Sequence, residues 1–372
     1  MKQRFCSGAV LACCLAASAA QAQTQTQTQT RAPTGIQIYG IVDTGVLHVT
    51  NVNAQGDAST KMPSITGEFP SRIGFRGTED LGNGLQAFFV LENGFAVDTG
   101  GLQQGNRMFG RAANVGLKGA WGALTLGRQQ NMTYISVLRA DVLGPGIFAI
   151  GSIDAYLPNA RSDNAVGYMG TFGNLVVGAT WSLGRDASSA GGPPATNCAG
   201  EVAGNARACR QYTGLLGYEK KEWGVNVAYD RMYGNTGAAG GLTSSANTDT
   251  RMLLNAYVMA GLTKIGAGVL DRDTRAATGR SESDLYYFGA SHPFGPFTVD
   301  AQWSQRNTKN SNADVAMIVG RVTYALSKRS FLYGTIGHLD NDGASAVALD
   351  AGGTAGPGLA QNGVMVGLRH HF

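Results

Sequence analysis

Charge is scarce in this chain. Asp, Glu, Lys and Arg make up 15% of its 372 residues, against about a quarter in a soluble domain. The formal charge is +4, and Lys2 and Arg4, in a segment read below as a removable leader, carry two of those charges, leaving +2. With no long basic run either, nucleic-acid binding is excluded as the main role. Proline is rare at 10 residues while glycine reaches 54. That balance suits many short strands joined by tight turns better than a helical core. Beyond Ala22 no stretch of about 20 apolar residues occurs, so crossing a membrane by helices is excluded.

Cysteine is sparse as well. Of five, Cys6, Cys13 and Cys14 fall in the leader, and only Cys198 and Cys209 remain, eleven positions apart in a Gly/Pro/Ala-rich loop. In an exported chain an even pair is a disulfide candidate; the alternative is two unpaired loop thiols. No metal site is expected there, because no His or further Cys lies nearby. His48, His292, His338, His370 and His371 are scattered without metal-ligand spacing. Glycine-rich stretches such as GGPP at 191–194 do not join a strand to a helix, so none reads as a phosphate cradle. No Ser is placed beside His in a recognisable nucleophile motif. The chain is therefore expected to need no cofactor and to be no enzyme.

What is present divides into three parts. Residues 1–22 have a positive start, a short Ala/Ser-rich apolar stretch and an A-x-A site at Ala20-Gln21-Ala22, the three parts of a secretory signal peptide. Residues 23–35 open with QTQTQTQT, a polar repeat with no apolar surface to bury, and read as a disordered tail. Residues 36–372 alternate strand and connection throughout, as one transmembrane β-barrel.

Sixteen strand segments can be counted, from 36–49 to 362–372. Their connections alternate in length. EDLGNG (79–84), GAWG (119–122), FGN (172–174), KKEW (220–223), Gly261, PFGP (293–296) and SKRS (327–330) are short, and the intervening ones, such as 50–69, 130–160 and 184–210, are long. An even number of strands, tight turns at one end and long loops at the other, is the layout of an outer-membrane barrel. Within strands the faces split. In SRIGFRGTED (71–80), Arg72, Gly74 and Arg76 share one side, and Ile73 and Phe75 the other. Lipid can take the apolar face and a watery lumen the polar one. In hydrocarbon every backbone N–H and C=O needs an internal partner, which a closed sheet supplies without an edge. Sixteen strands close a tube too wide for side chains to fill. Trp121, Trp181, Trp223, Tyr218, Tyr229 and Tyr324 lie near segment ends, where interfacial girdles form.

Several stretches carry a resemblance: GIQIYGIVDTGV, SRIGFRGTEDLGNGLQAFFVLENGF, GRAANVGLKGAWGALTLGRQ, YALSKRS and the end VGLRHHF. In this order, from about Ile36 to Phe372, they resemble the general diffusion porins of Gram-negative bacteria. The resemblance implies an all-β fold, a sixteen-stranded antiparallel transmembrane β-barrel with an inward-folded third long loop. It also implies a homotrimer among outer-membrane lipids and passage of small hydrophilic solutes. In this family the third loop, here 131–160, narrows the barrel, and arginines of the opposite wall face it. Motif by motif, Arg72, Arg128 and Arg161 fall on those arginines, with Arg76 as a further candidate. Strict alternation places Arg128 with Leu124 and Leu126, so pointing it inward requires a bulge near Gly127. A charge facing lipid at the midplane costs about 2–4 kcal/mol, which favours the bulge. Glu92 and Asp43 are expected to face the lumen and pair with arginines. The loop offers only Asp141 and Asp154 as opposing carboxylates, with Arg139 beside them, which implies a weak or anionic preference. Phe372, a terminal aromatic, resembles the family's signal to the barrel-assembly machinery. A substrate-selective channel is the alternative function, and an outer-membrane barrel enzyme a more remote one.

Overall fold

A computed structural model describes residues 35–185 and 197–372. The expected leader and all but the last residue of the expected tail lie outside the described residues. Sixteen long strands and one of three residues form a single antiparallel sheet. In chain order the first nine are β1 (Gly35–Val49), β2 (Ser59–Lys61), β3 (Arg72–Gly82), β4 (Leu85–Gly94), β5 (Ala112–Gly119), β6 (Gly122–Gln130), β7 (Arg161–Phe172), β8 (Leu175–Gly184) and β9 (Gln211–Glu219). The rest are β10 (Trp223–Tyr233), β11 (Thr248–Ala260), β12 (Thr263–Ala276), β13 (Gly279–Phe294), β14 (Phe297–Thr308), β15 (Val315–Ala325), β16 (Ser330–Asn341) and β17 (Gln361–His371). Each long strand pairs with its sequence neighbours, and β1 pairs with both β3 and β17, so the sheet closes on itself. The short β2 continues the pairing of β1 where β3 has left it. Two connections differ from the expectation: β2 lies inside a presumed loop, and β12 and β13 extend well past their expected ends, to a turn at 277–278.

The period-two pattern sorts cleanly in strands such as β10. Trp223, Val225, Val227 and Tyr229 are exposed on the outside, while Gly224, Asn226, Ala228 and Asp230 are buried inside. The outer surface carries rows of exposed Val, Leu, Ile and Phe, the face a hydrocarbon solvent requires. At the turn end, aromatic rings pair on this outer face: Trp121 with Tyr168, Tyr218 with Trp223, and Phe297 with Tyr324 at 4.8 Å between centroids. Trp181, Tyr212 and Tyr233 sit toward the loop end. The tight turns use the chemistry their geometry demands. Between β3 and β4, Asn83 and Gly84 both have positive φ, 53° and 77°, as a twisted two-residue hairpin turn needs. The chain end is held where the barrel closes: Phe372 exchanges two backbone hydrogen bonds with Gly40, and its ring covers the space a side chain at Gly40 would fill.

The core lies within the barrel. Residues 131–160 form α1 (Met132–Ala140), α2 (Ile150–Ile153) and a single 3₁₀ turn, Leu157–Asn159. Asn131 caps α1 by accepting from the Tyr134 N–H at 3.2 Å. Met132, Ser136, Val137 and Ala140, spaced by helical turns, form its buried face. With Leu143, Ile147, Phe148, Ile150 and Leu157 they pack against inward side chains of the wall, among them Val176, Leu215, Leu253, Leu270, Leu285 and Met317. Fully burying one such side chain contributes about 1.5–3 kcal/mol. The lumen side of the barrel is thus not uniformly polar: from β8 to β17, where residues 131–160 cover it, apolar side chains stand among a few polar anchors.

Candidate functional site

The wall from β3 to β7 is basic. On β3, Arg72 and Arg76 face inward, opposite Ile41 and Gln37 of β1. Glu92 of β4, opposite Gly74, accepts from the Tyr39 hydroxyl at 2.8 Å, pairs with Arg111 at 2.7 Å and lies 3.9 Å from Arg72. Arg111 is 3% exposed, and its carbonyl accepts from Arg161 Nε at 3.0 Å. Arg161, 2% exposed, otherwise donates to Asn159, and its guanidinium stands 5.8 Å from the centre of the Tyr134 ring. Arg76 is more open; it donates to Gln37 and lies over the Tyr39 ring at 5.0 Å. Of Arg72, Arg76, Arg111 and Arg161, Arg72 and Arg111 share one carboxylate, Glu92, among the described ion pairs.

Arg128 is also inside. Gly127 has φ of 110°, and the register of β6 against β7 shifts between Leu126 and Gln129. This break takes Arg128 off the outward row of Leu124 and Leu126. Its guanidinium donates to the Gly110 carbonyl at 2.7 Å and pairs with Asp163, which also pairs with Arg107.

Residues 131–160 are tied to the other wall at several points. Asp230 of β10, fully buried, accepts from Tyr156 Oη at 2.6 Å, Thr133 Oγ1 at 3.1 Å, Asn131 Nδ2 at 3.3 Å and Gln211 Nε2 at 2.8 Å. One carboxylate thus gathers both ends of the loop. The middle is held by Arg321 of β15, which donates to the carbonyls of Leu143 at 2.9 Å and Val142 at 3.2 Å. Arg321 is itself fixed by Asp300 at 2.7 Å and Glu68 at 3.3 Å. Glu68 belongs to a second inserted segment, whose Gly67 carbonyl accepts from the Ile147 N–H at 2.8 Å.

The loop carboxylates do not stand where the sequence reading put them. Asp141 is buried, and its carboxylate accepts from the Leu143 N–H at 3.1 Å. Burial pushes its carboxyl up to about 6. Asp154 accepts from the Tyr156 N–H and lies 3.6 Å from Arg251 of β11. Burial pushes its carboxyl upward, but Arg251 and Arg272 outweigh that and hold it below the ordinary carboxylate range. Both acids are committed to the loop-bearing wall. Arg139 likewise pairs with Glu219. Asp43, expected to pair with an arginine, instead accepts from Tyr333 Oη at 2.6 Å and the Phe69 N–H at 2.7 Å. Cys198 and Cys209 are bonded, with Cα atoms 5.3 Å apart, and packed with Ala238 and Leu242. Among the described residues no group of three or more His, Cys, Asp or Glu is arranged to hold a metal ion.

A closed sixteen-stranded sheet, apolar outside, with a loop packed in its lumen opposite a basic wall, has its counterpart among known proteins. The profile described as Gram-negative porin matches residues 9–344. This chain belongs to the Gram-negative porins. Outer membrane porin protein 32 of Delftia acidovorans is 31% identical over 358 residues, covering 92% of this chain and 95% of the relative. An outer membrane porin protein of Bordetella pertussis is 30% identical over 384 residues, with the same coverage of both chains. Among solved structures, an anion-selective porin from Comamonas acidovorans aligns with a TM-score of 0.74 at 26% identity, covering 91% of this chain and 99% of that one. The porin described here is a multi-pass β-barrel of the outer membrane and forms a channel, not a catalyst.

Arg111, Tyr39, Asp230 and Arg321 were not singled out from the sequence. Asp230 and Arg321 fall on the inward parity of their strands and were open to detection as lumen charges. Arg111 immediately precedes β5, and strict alternation groups it with the outward Val115 and Leu117, which hid it.

Proposed function

We propose that this porin passes small hydrophilic solutes passively and favours anions, with Arg72, Arg111 and Arg161 providing the field and Arg76 and Arg128 extending it. One observation carries the reading: both carboxylates of the loop that faces the basic wall are buried, Asp141 accepting from the Leu143 N–H within the loop and Asp154 lying 3.6 Å from Arg251 of the opposite wall. Fixed positive charge in a low-dielectric wall raises the local anion concentration and lowers that of cations. Arg161 supports this in particular, because its donors reach only neutral oxygens among the described contacts. The anion-selective porin of similar fold is consistent with it.

The resemblance further supports a homotrimer in outer-membrane lipid, inserted by the barrel-assembly machinery through the last strand and Phe372. The position of Phe372 over Gly40, on the outer face at the closing seam, suits such a role.

Removing the field tests the assignment. In planar bilayers under a salt gradient, Arg72→Ala combined with Arg161→Ala should move the reversal potential toward cations, with a several-fold fall in the anion-to-cation permeability ratio. An unchanged potential in a channel that still conducts would remove the arginines from this role.

A further inference from the structure

The corner where α1 ends, residues 140–143, sits on a row of inward residues from adjacent strands. Gly266 of β12 is register-paired with Gly289 of β13, and Gly289 with Gln302 of β14. Arg321 of β15 is two residues off that row, paired with Asp300. Each of the four lies against the corner. A side chain at Gly266 would collide with the backbone carbonyl of Ala140. One at Gly289 would come within 2.6 Å of Val142 Cγ2. Gln302 Oε1 accepts from the Val142 N–H at 3.1 Å, and Arg321 takes the Val142 and Leu143 carbonyls.

Neither glycine is needed for its own backbone: both lie outside the positive-φ set, and strand interiors ordinarily lose stability from glycine. At Gly266 the loop's Ala140 excludes a side chain; at Gly289 Val142 of the loop does so together with the Ala301 carbonyl and Gln302 Oε1 of β14, both at 2.9 Å. We infer that Gly266 and Gly289 are width-determining residues: their missing side chains let the loop corner lie against the wall, and so set how far it projects toward the arginines. The row works as a seat. Two strands give depth, the third gives a polar acceptor that fixes the height, and the fourth clamps the carbonyls from below. Bulk added to the seat drives residues 140–143 toward the pore axis, because the wall behind is a continuous hydrogen-bonded sheet with little give.

This rests on the chain being a channel, and not on its anion preference. The test therefore reads width with neutral solutes. Liposome swelling with sugars of increasing size, together with single-channel conductance, is measured for Gly266→Ala, Gly266→Val, Gly289→Ala and the double variant Gly289→Ala with Val142→Ala. Gly214→Val is the matched control, since Gly214 is on a strand with nothing within 4 Å of a Cβ. The expected result is a graded loss, reaching about two-fold in conductance for Gly266→Val, and a lower sugar size limit with the sign of ion preference kept. Val142→Ala should restore part of what Gly289→Ala removes, the share due to Val142 and not to the Ala301 carbonyl, in conductance or, if that variant folds poorly, in yield of folded barrel. Wild-type conductance and size limit in folded Gly266→Val, or no restoration by Val142→Ala, would overturn the seat.

Discussion

The two walls of this barrel are made from the same kind of strand and do opposite things. The wall from β3 to β7 leaves Arg72, Arg76, Arg111, Arg128 and Arg161 facing the lumen side, in close company and with few carboxylates. The wall from β8 to β17 turns inward Leu215, Leu253, Leu270, Leu285 and Met317, together with glycines, and is covered by residues 131–160. Several of its charges are paired: Arg321 with Asp300 and Glu68, Arg251 with Asp249 and Asp154, Arg369 with Glu68. In the proposed reading, the wall from β3 to β7 supplies a field and the other wall seats the loop that narrows the lumen. A buried pair is costly to break; on the wall from β3 to β7, Arg111 and Arg161 are themselves buried, and the Glu92 carboxylate and backbone carbonyls hold them.

The comparison is broken most severely by attacking the wall from β8 to β17. Arg321→Met leaves Asp300 buried without its cation and releases the Val142 and Leu143 carbonyls. It should destabilise the barrel by about 3–5 kcal/mol, read as a lower temperature for heat-induced unfolding in detergent. Open-channel noise should rise, with less change in ion preference than the paired arginine substitutions cause. A normal unfolding temperature would show that the clamp is not structural. A smaller effect is expected at the other anchor. Asp230→Asn keeps the shape but puts an amide among four donors, from Asn131, Thr133, Tyr156 and Gln211. Leaving such groups unsatisfied costs about 1–3 kcal/mol. Thermal unfolding should shift by a corresponding fraction of the Arg321 effect, and an equal or larger shift would reverse the ranking of the two anchors.

The architecture was legible in the sequence because two solvents impose it. Where lipid lies on one side and water on the other, period-two alternation is obligatory, and β9 is readable to the residue. It was less legible where that contrast is absent. Asp271, Asp273, Glu282 and Asp284 are polar and were read as loop or strand margin, yet they continue the β12–β13 hairpin, with Arg280 and Lys309 pairing among them. Alternation also weakens where the loop covers the wall, because both faces are then apolar, as Leu253 and Leu254 show. Of the constriction, Arg72 and Arg76 followed from parity, and Arg128 required the break at Gly127. Arg111 escaped because it precedes regular pairing. The fate of Asp141 and Asp154 was out of reach, since Arg251 and the other wall partners lie roughly a hundred or more positions away in the chain and the loop's path decides who meets whom.

We propose that an excess of guanidiniums over carboxylates on the wall from β3 to β7 governs which ions pass. It is tested most directly by the zero-current potential of the unaltered porin across a tenfold gradient of potassium chloride. A value on the chloride side of zero is predicted, shrinking as total salt rises, because the screening length falls from about 10 Å at 0.1 M to about 3 Å at 1 M. A value on the potassium side at low salt would contradict it.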